Sequence, residues 1–254
     1  MAGSYRSDLA YIHDAGFGDL ARGAASVLRH ELRRRGLTGG LVIDLGCGSG
    51  ILAEAMLASG YDVLGIDVSK DMIALARKRA PAARFRRESL WVARLEPCVA
   101  VAAIGECLNY LSLSRSTQDA CAPRSDRPPA SREARLFRNI FDALQADGIL
   151  LFDILGPEGL PQEPRRTFIQ GDDWAVLTTT SSERRRSLLA RRITSFRRVG
   201  DLYRRDDEVH RQRPLQVSVM NSYLRAAGFT VRNLSGYAEA GFLPGRAGFL
   251  ARKP

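Results

Sequence analysis

The chain has 254 residues, with 38 Lys and Arg against 28 Asp and Glu and a net charge of +10. That length buries one substantial core, or one core with an added subdomain. No apolar run approaches the roughly 18 residues of a membrane span. The start Met1-Ala2-Gly3-Ser4-Tyr5-Arg6-Ser7-Asp8 has neither the basic head nor the apolar stretch of a secretory signal, so a cytoplasmic protein without a membrane partner is expected. Four cysteines with no Cys-x-x-Cys pair, and three histidines, speak against a metal site and against a disulfide framework. The excess charge is nearly all arginine, in short pairs and triplets with no interleaved aromatics to stack on bases, which favours solvated faces over a nucleic-acid partner.

Residues 1–36 read as mainly helical. Leu20, Ala24, Val27, Leu28 and Leu32 recur at helical spacing, and Arg33-Arg34-Arg35-Gly36 marks an end. Ahead of them, Tyr11-Ile12-His13-Asp14-Ala15-Gly16-Phe17-Gly18 places two glycines and two aromatics close together. This reads either as a lead-in to the helix or as a loop that folds over something. Next comes Leu41-Val42-Ile43-Asp44-Leu45-Gly46-Cys47-Gly48-Ser49-Gly50, a buried strand running into a tight glycine turn and then a helix from Ile51. Such glycines allow positive φ and close approach of backbone to a ligand. A dinucleotide fingerprint needs another glycine three positions after Gly48, where Ile51 stands. Asp44 would also oppose a pyrophosphate. A turn with its own carboxylate suits a ligand with a cationic or amine end, so the pattern reads as a nucleoside-plus-amino-acid site.

Tyr61-Asp62-Val63-Leu64-Gly65-Ile66-Asp67 reads as the next strand, and Ser69 as the cap of a helix over Lys70 to Arg79. Asp67 lies about twenty residues beyond the glycines, the spacing of an acid that takes ribose hydroxyls in a βαβ nucleotide unit; a helix cap or a solvated loop acid is the alternative.

The run Asp-Leu-Gly-Cys-Gly-Ser-Gly followed by Gly-Ile-Asp-Val-Ser-Lys-Asp-Met resembles the class I S-adenosylmethionine-dependent methyltransferases, over about residues 40 to 155. The resemblance implies a Rossmann-like doubly wound α/β sheet with an antiparallel last strand, and S-adenosylmethionine as cofactor. It implies that Gly46 and Gly48 bring backbone near the methionine part, that Asp44 lies by its amino end, and that Asp67 takes the ribose hydroxyls. Val68 and Met72 would flank the adenine. After a third strand, Ala83 to Arg87, the segment Glu88-Ser89-Leu90 makes Ser89 and Leu90 the adenine-edge contacts. It also gives the Tyr11–Gly18 segment a role as a lid, with Tyr11, His13 and Phe17 as acceptor contacts.

Cys98 to Ile104 is the fourth strand, apolar as expected of a strand buried on both faces. Gly105-Glu106-Cys107-Leu108-Asn109-Tyr110 follows at its carboxyl end, where open parallel sheets bind ligands; Asn109 and Tyr110 are further acceptor contacts. The polar, proline-rich segment 112–132 reads as a mobile insertion. A helix from near Ser131, with Leu136, Ile140 and Leu144 on one face, ends at Asp147-Gly148, and the fifth strand is Ile149 to Ile154. Trp174 to Thr180, Leu188 to Val199 and Leu202 to Arg213 form an inserted antiparallel β arm. A helix over Val217 to Ala227 and strands Phe229 to Leu234 and Gly248 to Arg252 close the chain. The expected organisation is an N-terminal helical lid (1–36), a cofactor-binding core (37–156), an arm over the active site (157–216) and a return to the core (217–254).

Methyl transfer needs an acceptor held in line and water kept out, and an amine must lose a proton before or during attack. Glu106 and His210 are the candidate bases, with a helix-start acid and a packing histidine as the alternatives. The expected function is methyl transfer from S-adenosylmethionine to a small-molecule acceptor, foremost an amine. An RNA methyltransferase using the arginine-rich arm, or a non-catalytic cofactor-binding regulatory protein, are the other readings.

Overall fold

The computed structural model describes residues 5–111, 131–183, 187–238 and 240–254. Of the expected insertion 112–132, all but Ser131 and Arg132 lies outside the described residues. These two begin a helix: the Ser131 hydroxyl accepts from the Ala134 N–H at 3.1 Å, a side-chain cap that satisfies a first-turn donor.

The helices are α1 (Ser7–Gly16), α2 (Asp19–Arg33), α3 (Ile51–Leu57), α4 (Lys70–Arg79), α5 (Arg132–Ala143) and α6 (Val217–Ala227). The strands are β1 (Leu41–Leu45), β2 (Asp62–Asp67), β3 (Arg84–Arg87), β4 (Cys98–Ala103), β5 (Leu144–Leu155), β6 (Arg165–Gln170), β7 (Trp174–Glu183), β8 (Leu188–Val199), β9 (Leu202–Gln212), β10 (Thr230–Leu234), β11 (Gly236–Tyr237), β12 (Ala240–Gly241) and β13 (Arg246–Arg252). Seven strands form the main sheet in the order β10-β13-β5-β4-β1-β2-β3. β1 to β5 are parallel where they pair, and β13 runs antiparallel to β5. The doubly wound sheet and its antiparallel last strand are as expected.

Consecutive residues of the central strands serve opposite faces. Val42, Val63, Ala100 and Leu151 pack with Ala24, Leu28 and Leu32 of α2 and with α3. Ile43, Leu64, Val101 and Leu150 pack with Phe137 and Ile140 of α5 and with Met220 and Leu224 of α6. Strands covered on both faces need apolar residues at successive positions, which is why β1 and β4 read as uniform runs. No helix of the described residues is long and apolar enough to cross a membrane.

Three expectations need correction. The N-terminal region is not one lid: α2 is a layer helix of the main sheet, and only α1 leaves it, packing Leu9 and Ile12 on Trp174 and Val176 of the arm. The Tyr11–Gly18 segment is a loop only at its end, because α1 continues to Gly16. Helix α5 stops at Ala143, four residues short of the Asp147-Gly148 signal, and β5 begins at Leu144. Lys253 at the far end of the chain donates to the carbonyls of Phe141 and Leu144, at 2.8 and 2.6 Å. That cap comes from the terminus and has no local signature. The arm is a four-stranded sheet, β6-β7-β8-β9. Its first strand, β6, is exposed throughout and carries no apolar alternation to reveal it.

Candidate active site

The carboxyl ends of β1, β2 and β4 meet α1 and the start of α2 around a cavity of ≈ 240 Å³. Gly46 and Gly48 both take left-handed backbone, with φ of 76° and 52°, a region open to glycine at little cost. Their surroundings differ. A Cβ on Gly46 would collide with the Cys107 sulfur, whereas one on Gly48 would meet nothing within 4 Å, because Gly48 borders the cavity. The Asp67 carboxylate holds this turn to the start of α4: it accepts from the Gly48 N–H at 3.0 Å and from the Ser69 N–H at 2.8 Å. Burial raises its pKa, and those backbone donors hold it down.

Asp44 lies behind the turn, 2 % exposed, and its Oδ2 has no hydrogen-bond partner. Burial, and then the negative charge of Asp67, push its carboxyl up to about 7. A buried carboxylate oxygen without a partner is costly, and a cationic group placed against it removes that cost. The bare backbone at Gly48, the orphaned oxygen of Asp44 and the carboxylate at the end of β2 together suit a ligand with an ammonium end, a slender middle and a hydroxylated ring. S-adenosylmethionine has that shape and charge, so the residues fit it. The rest of the wall beyond β2 is Val68, Met72, Glu88, Leu90 and Trp91.

A family described as methyltransferase domain matches residues 42–118. Residues 42–118 are thus a methyltransferase domain, and the chain has the fold of an S-adenosylmethionine-dependent methyltransferase. A protein of Geobacillus sp. (strain WCH70) that bears a methyltransferase name is 25% identical over 223 residues, covering 83% of this chain and 82% of the relative. The sugar N-methyltransferase of Streptoalloteichus sp. ATCC 53650 superposes with a TM-score of 0.73 at 18% identity, covering 100% of this chain and 96% of its own. An amino pentose methyltransferase from Micromonospora echinaspora, solved with S-adenosylmethionine bound, gives 0.72 at 17% identity, with 100% of both chains covered. At these identities the two structures speak for the fold alone.

The methyltransferase brings together only part of the expected set, and Asp44, behind the glycine turn, does not itself border the cavity. Gly46, Gly48, Asp67, Val68, Met72, Leu90, His13, Phe17 and Tyr110 all border the cavity. Ser89 does not: its hydroxyl accepts from the Trp91 N–H at 3.4 Å, and its carbonyl accepts from Val92 and Ala93, so it shapes the turn that delivers Trp91. Tyr11 points away to the arm, donating to Asp173 at 3.0 Å under the Arg197 guanidinium, 3.8 Å from its ring. Asn109 is fully buried and pins backbone to backbone. Its amide donates to the carbonyls of Leu155 and Arg213, and its oxygen accepts from the Leu155 N–H.

Neither candidate base reaches the cavity. Glu106 accepts from Arg246 at 2.6 Å, and from Arg191 and Gln212 at 3.0 Å each. Burial opposes its charge, but the Arg191 and Arg246 guanidiniums win and hold its carboxyl at about 2. A carboxylate so committed does not take a proton from a substrate. His210 is 2 % exposed and bonds Glu208 at 2.8 Å, with the rings of Tyr5 and Tyr110 between it and the cavity, 4.8 and 5.9 Å away. Among the wall residues the sequence reading missed are the aromatics Tyr5 and Trp91. Trp91 is adjacent to Leu90 and its aromatic bulk was a usable signal. Tyr5 is brought in from the chain start by the Ser69 hydroxyl, which donates to the Tyr5 carbonyl at 2.9 Å, and nothing local announces it.

Proposed function

We propose that the methyltransferase transfers its methyl group to the nitrogen of a small amine held in the cavity. The observation that carries this reading is the charge of the wall. The chain holds 38 Lys and Arg, yet among the described residues bordering the cavity there is no lysine or arginine. The carboxylates there are Asp67 and Glu88, and the other groups are aromatic, aliphatic, small or neutral. A phosphate or carboxylate acceptor would lose its hydration and find no cation, whereas an amine finds aromatic faces. The names of the two structural relatives, sugar N-methylation and amino pentose methylation, support the same class.

In this reading Asp44 holds the amino end of S-adenosylmethionine and the Gly46–Gly48 backbone passes beside its methionine part. Asp67 takes the ribose hydroxyls, and Val68, Met72, Leu90 and Trp91 enclose the adenine. The cofactor supplies an electrophilic methyl carbon on a sulfonium. Tyr5, His13 and Phe17 from the N-terminal segment and Tyr110 after β4 close the space above it and exclude water. The arm bears on the site through α1, which it carries.

The test is release of S-adenosylhomocysteine over pools of small amines, amino sugars, hydroxy acids and total RNA. Turnover with an amine pool, insensitive to salt, is expected. Turnover with RNA alone, collapsing as salt rises, would overturn the reading, and no turnover with any pool would leave a cofactor-binding protein without catalysis.

Asp67→Ala tests the cofactor half. It removes charge-assisted bonds to two ribose hydroxyls and frees the Gly48 turn, so titration calorimetry should show S-adenosylmethionine binding weakened by about 2–4 kcal/mol. Unchanged affinity would place the cofactor elsewhere.

A further inference from the structure

Every proton acceptor the cavity wall could offer is unusable or spent. The Tyr5 and Tyr110 hydroxyls bond each other at 3.1 Å, and burial pushes the first up to about 12 and the second well above its ordinary value. The Cys107 thiol is driven up by burial as well. Asp67 is engaged by two N–H groups, and Glu88 lies on the far side, beyond β3, 4.0 Å from Arg86. His13 remains, and its geometry is specific. The ring is clasped edge-on by Tyr5 at 5.1 Å and stacked by Phe17 at 5.8 Å. Its Nδ1 is shielded from solvent and has no partner.

A neutral imidazole carries one hydrogen. Placing it on Nδ1 would bury an unpaired N–H, while placing it on Nε2 leaves only an unpaired lone pair, and orphaned N–H groups are the rarer of the two in folded proteins. The ring edge that borders the cavity therefore carries Nε2–H. Resting on the amine reading, we infer that His13 is a specificity residue, a fixed Nε2–H donor to a polar group of the acceptor, and that the site selects nitrogen over hydroxyl because the acceptor end of its wall, formed by Tyr5, His13, Phe17 and Tyr110, has no free group to take a proton. An amine that binds as its free base, having left its extra proton with water, needs none. Its lone pair forms the N–C bond while the carbon–sulfur bond breaks and its electron pair stays on sulfur. The product leaves as a methylammonium that gives its proton to water outside. A hydroxyl attacked in the same way would need its proton removed first.

The charged groups around His13 are consistent with a ring that stays neutral. Asp14, next on α1, favours protonation but is bound to Arg79 at 2.6 Å. His210 on β9 opposes it. Burial is the largest effect, and it takes the imidazole down to about 4.

With three histidines in the chain, ring-nitrogen NMR on the full-length protein saturated with S-adenosylhomocysteine reads the state directly. His13→Phe assigns the signal. The expected result is an Nε2–H tautomer that stays neutral from about pH 8 down to about pH 5. An Nδ1–H tautomer, or protonation near the ordinary value of about 6.5, would overturn the inference. In turnover with the best amine of the screen, His13→Phe keeps the ring packing and loses the donor, and should lower kcat/KM about tenfold with cofactor affinity unchanged. His13→Gln, which restores a donor, should recover most of it. Wild-type turnover by His13→Phe, or release with the hydroxy-acid pool comparable to that with amines, would sink it. If no amine is methylated the function reading fails, while the tautomer result still decides the state of His13.

Discussion

Glu106→Ala is expected to lower the unfolding temperature by about 10 °C, from a loss of about 3–5 kcal/mol. The side chain sits on a left-handed backbone, φ 63°, at the end of β4. From there it meets Arg191 of β8, Gln212 of β9 and Arg246 of β13, so one carboxylate joins the main sheet to the arm. Removing it leaves two largely buried guanidiniums with a single remaining acid, Asp153, whose Oδ2 is 3.6 Å from Arg246. Breaking a buried pair from one side costs more than the pair was worth, because the stranded charge stays buried. Glu106→Gln keeps the shape and should cost less. The depressed carboxyl, at about 2 against an ordinary 4.5, gives the sign of the pH effect. The unfolded state takes up the proton first, so stability present above about pH 4.5 is lost as pH falls toward 2. Calorimetric scans of both variants from neutral to acid pH check this. An unfolding temperature unchanged by Glu106→Ala would show that the knot carries no load.

The residues proposed for the cofactor form a group that is legible along the chain, and those proposed for the acceptor do not; the reason is range. Asp44, Gly46, Gly48 and Asp67 belong to one βαβ unit. Their proposed roles follow from a turn that only glycine adopts cheaply and from a strand end at a fixed distance along the chain. The acceptor side is assembled from residues far apart in sequence. Tyr5 meets Tyr110 hydroxyl to hydroxyl, and the Tyr5 and Arg6 N–H groups both donate to Glu208, at 2.8 Å each. Glu208 and His210 do share a face of β9, as alternation requires, but that face looks at the N-terminal segment. A carboxylate and a histidine two residues apart on a strand thus looked like a base and its orienter, and are in fact a latch. Glu106 misled in the same way: position at a sheet edge suggested chemistry, and only the arginines from two other sheet elements show that its charge is already neutralised. Asn109 occupied a favourable edge position and is used up by backbone.

Asp44→Asn should have opposite signs in two assays. Without cofactor, the folded protein holds a proton on Asp44 up to about pH 7, while the unfolded chain releases it near 3.8. The folded state therefore binds more protons across that window, and stability falls as pH rises from about 4 to 7. Asparagine has no proton to lose. The variant should be the more stable protein at pH 8, by about 2–4 kcal/mol, and the difference should vanish toward pH 4. With cofactor the sign reverses. The ammonium of S-adenosylmethionine beside the orphaned Oδ2 favours the ionised acid, so binding expels a proton below about pH 7 and wild-type affinity should strengthen as pH rises from about 5.5 to 7.5. The asparagine variant should bind weakly and with little pH dependence. Urea unfolding of the cofactor-free proteins and calorimetry in two buffers of different ionisation enthalpy measure the two halves. A variant less stable than wild type at pH 8, or wild-type binding that releases no proton at pH 6, would remove Asp44 from the cofactor site. The physical point is that a carboxylate kept without a partner weakens the empty fold, and in the proposed reading the cation that completes it is the ligand.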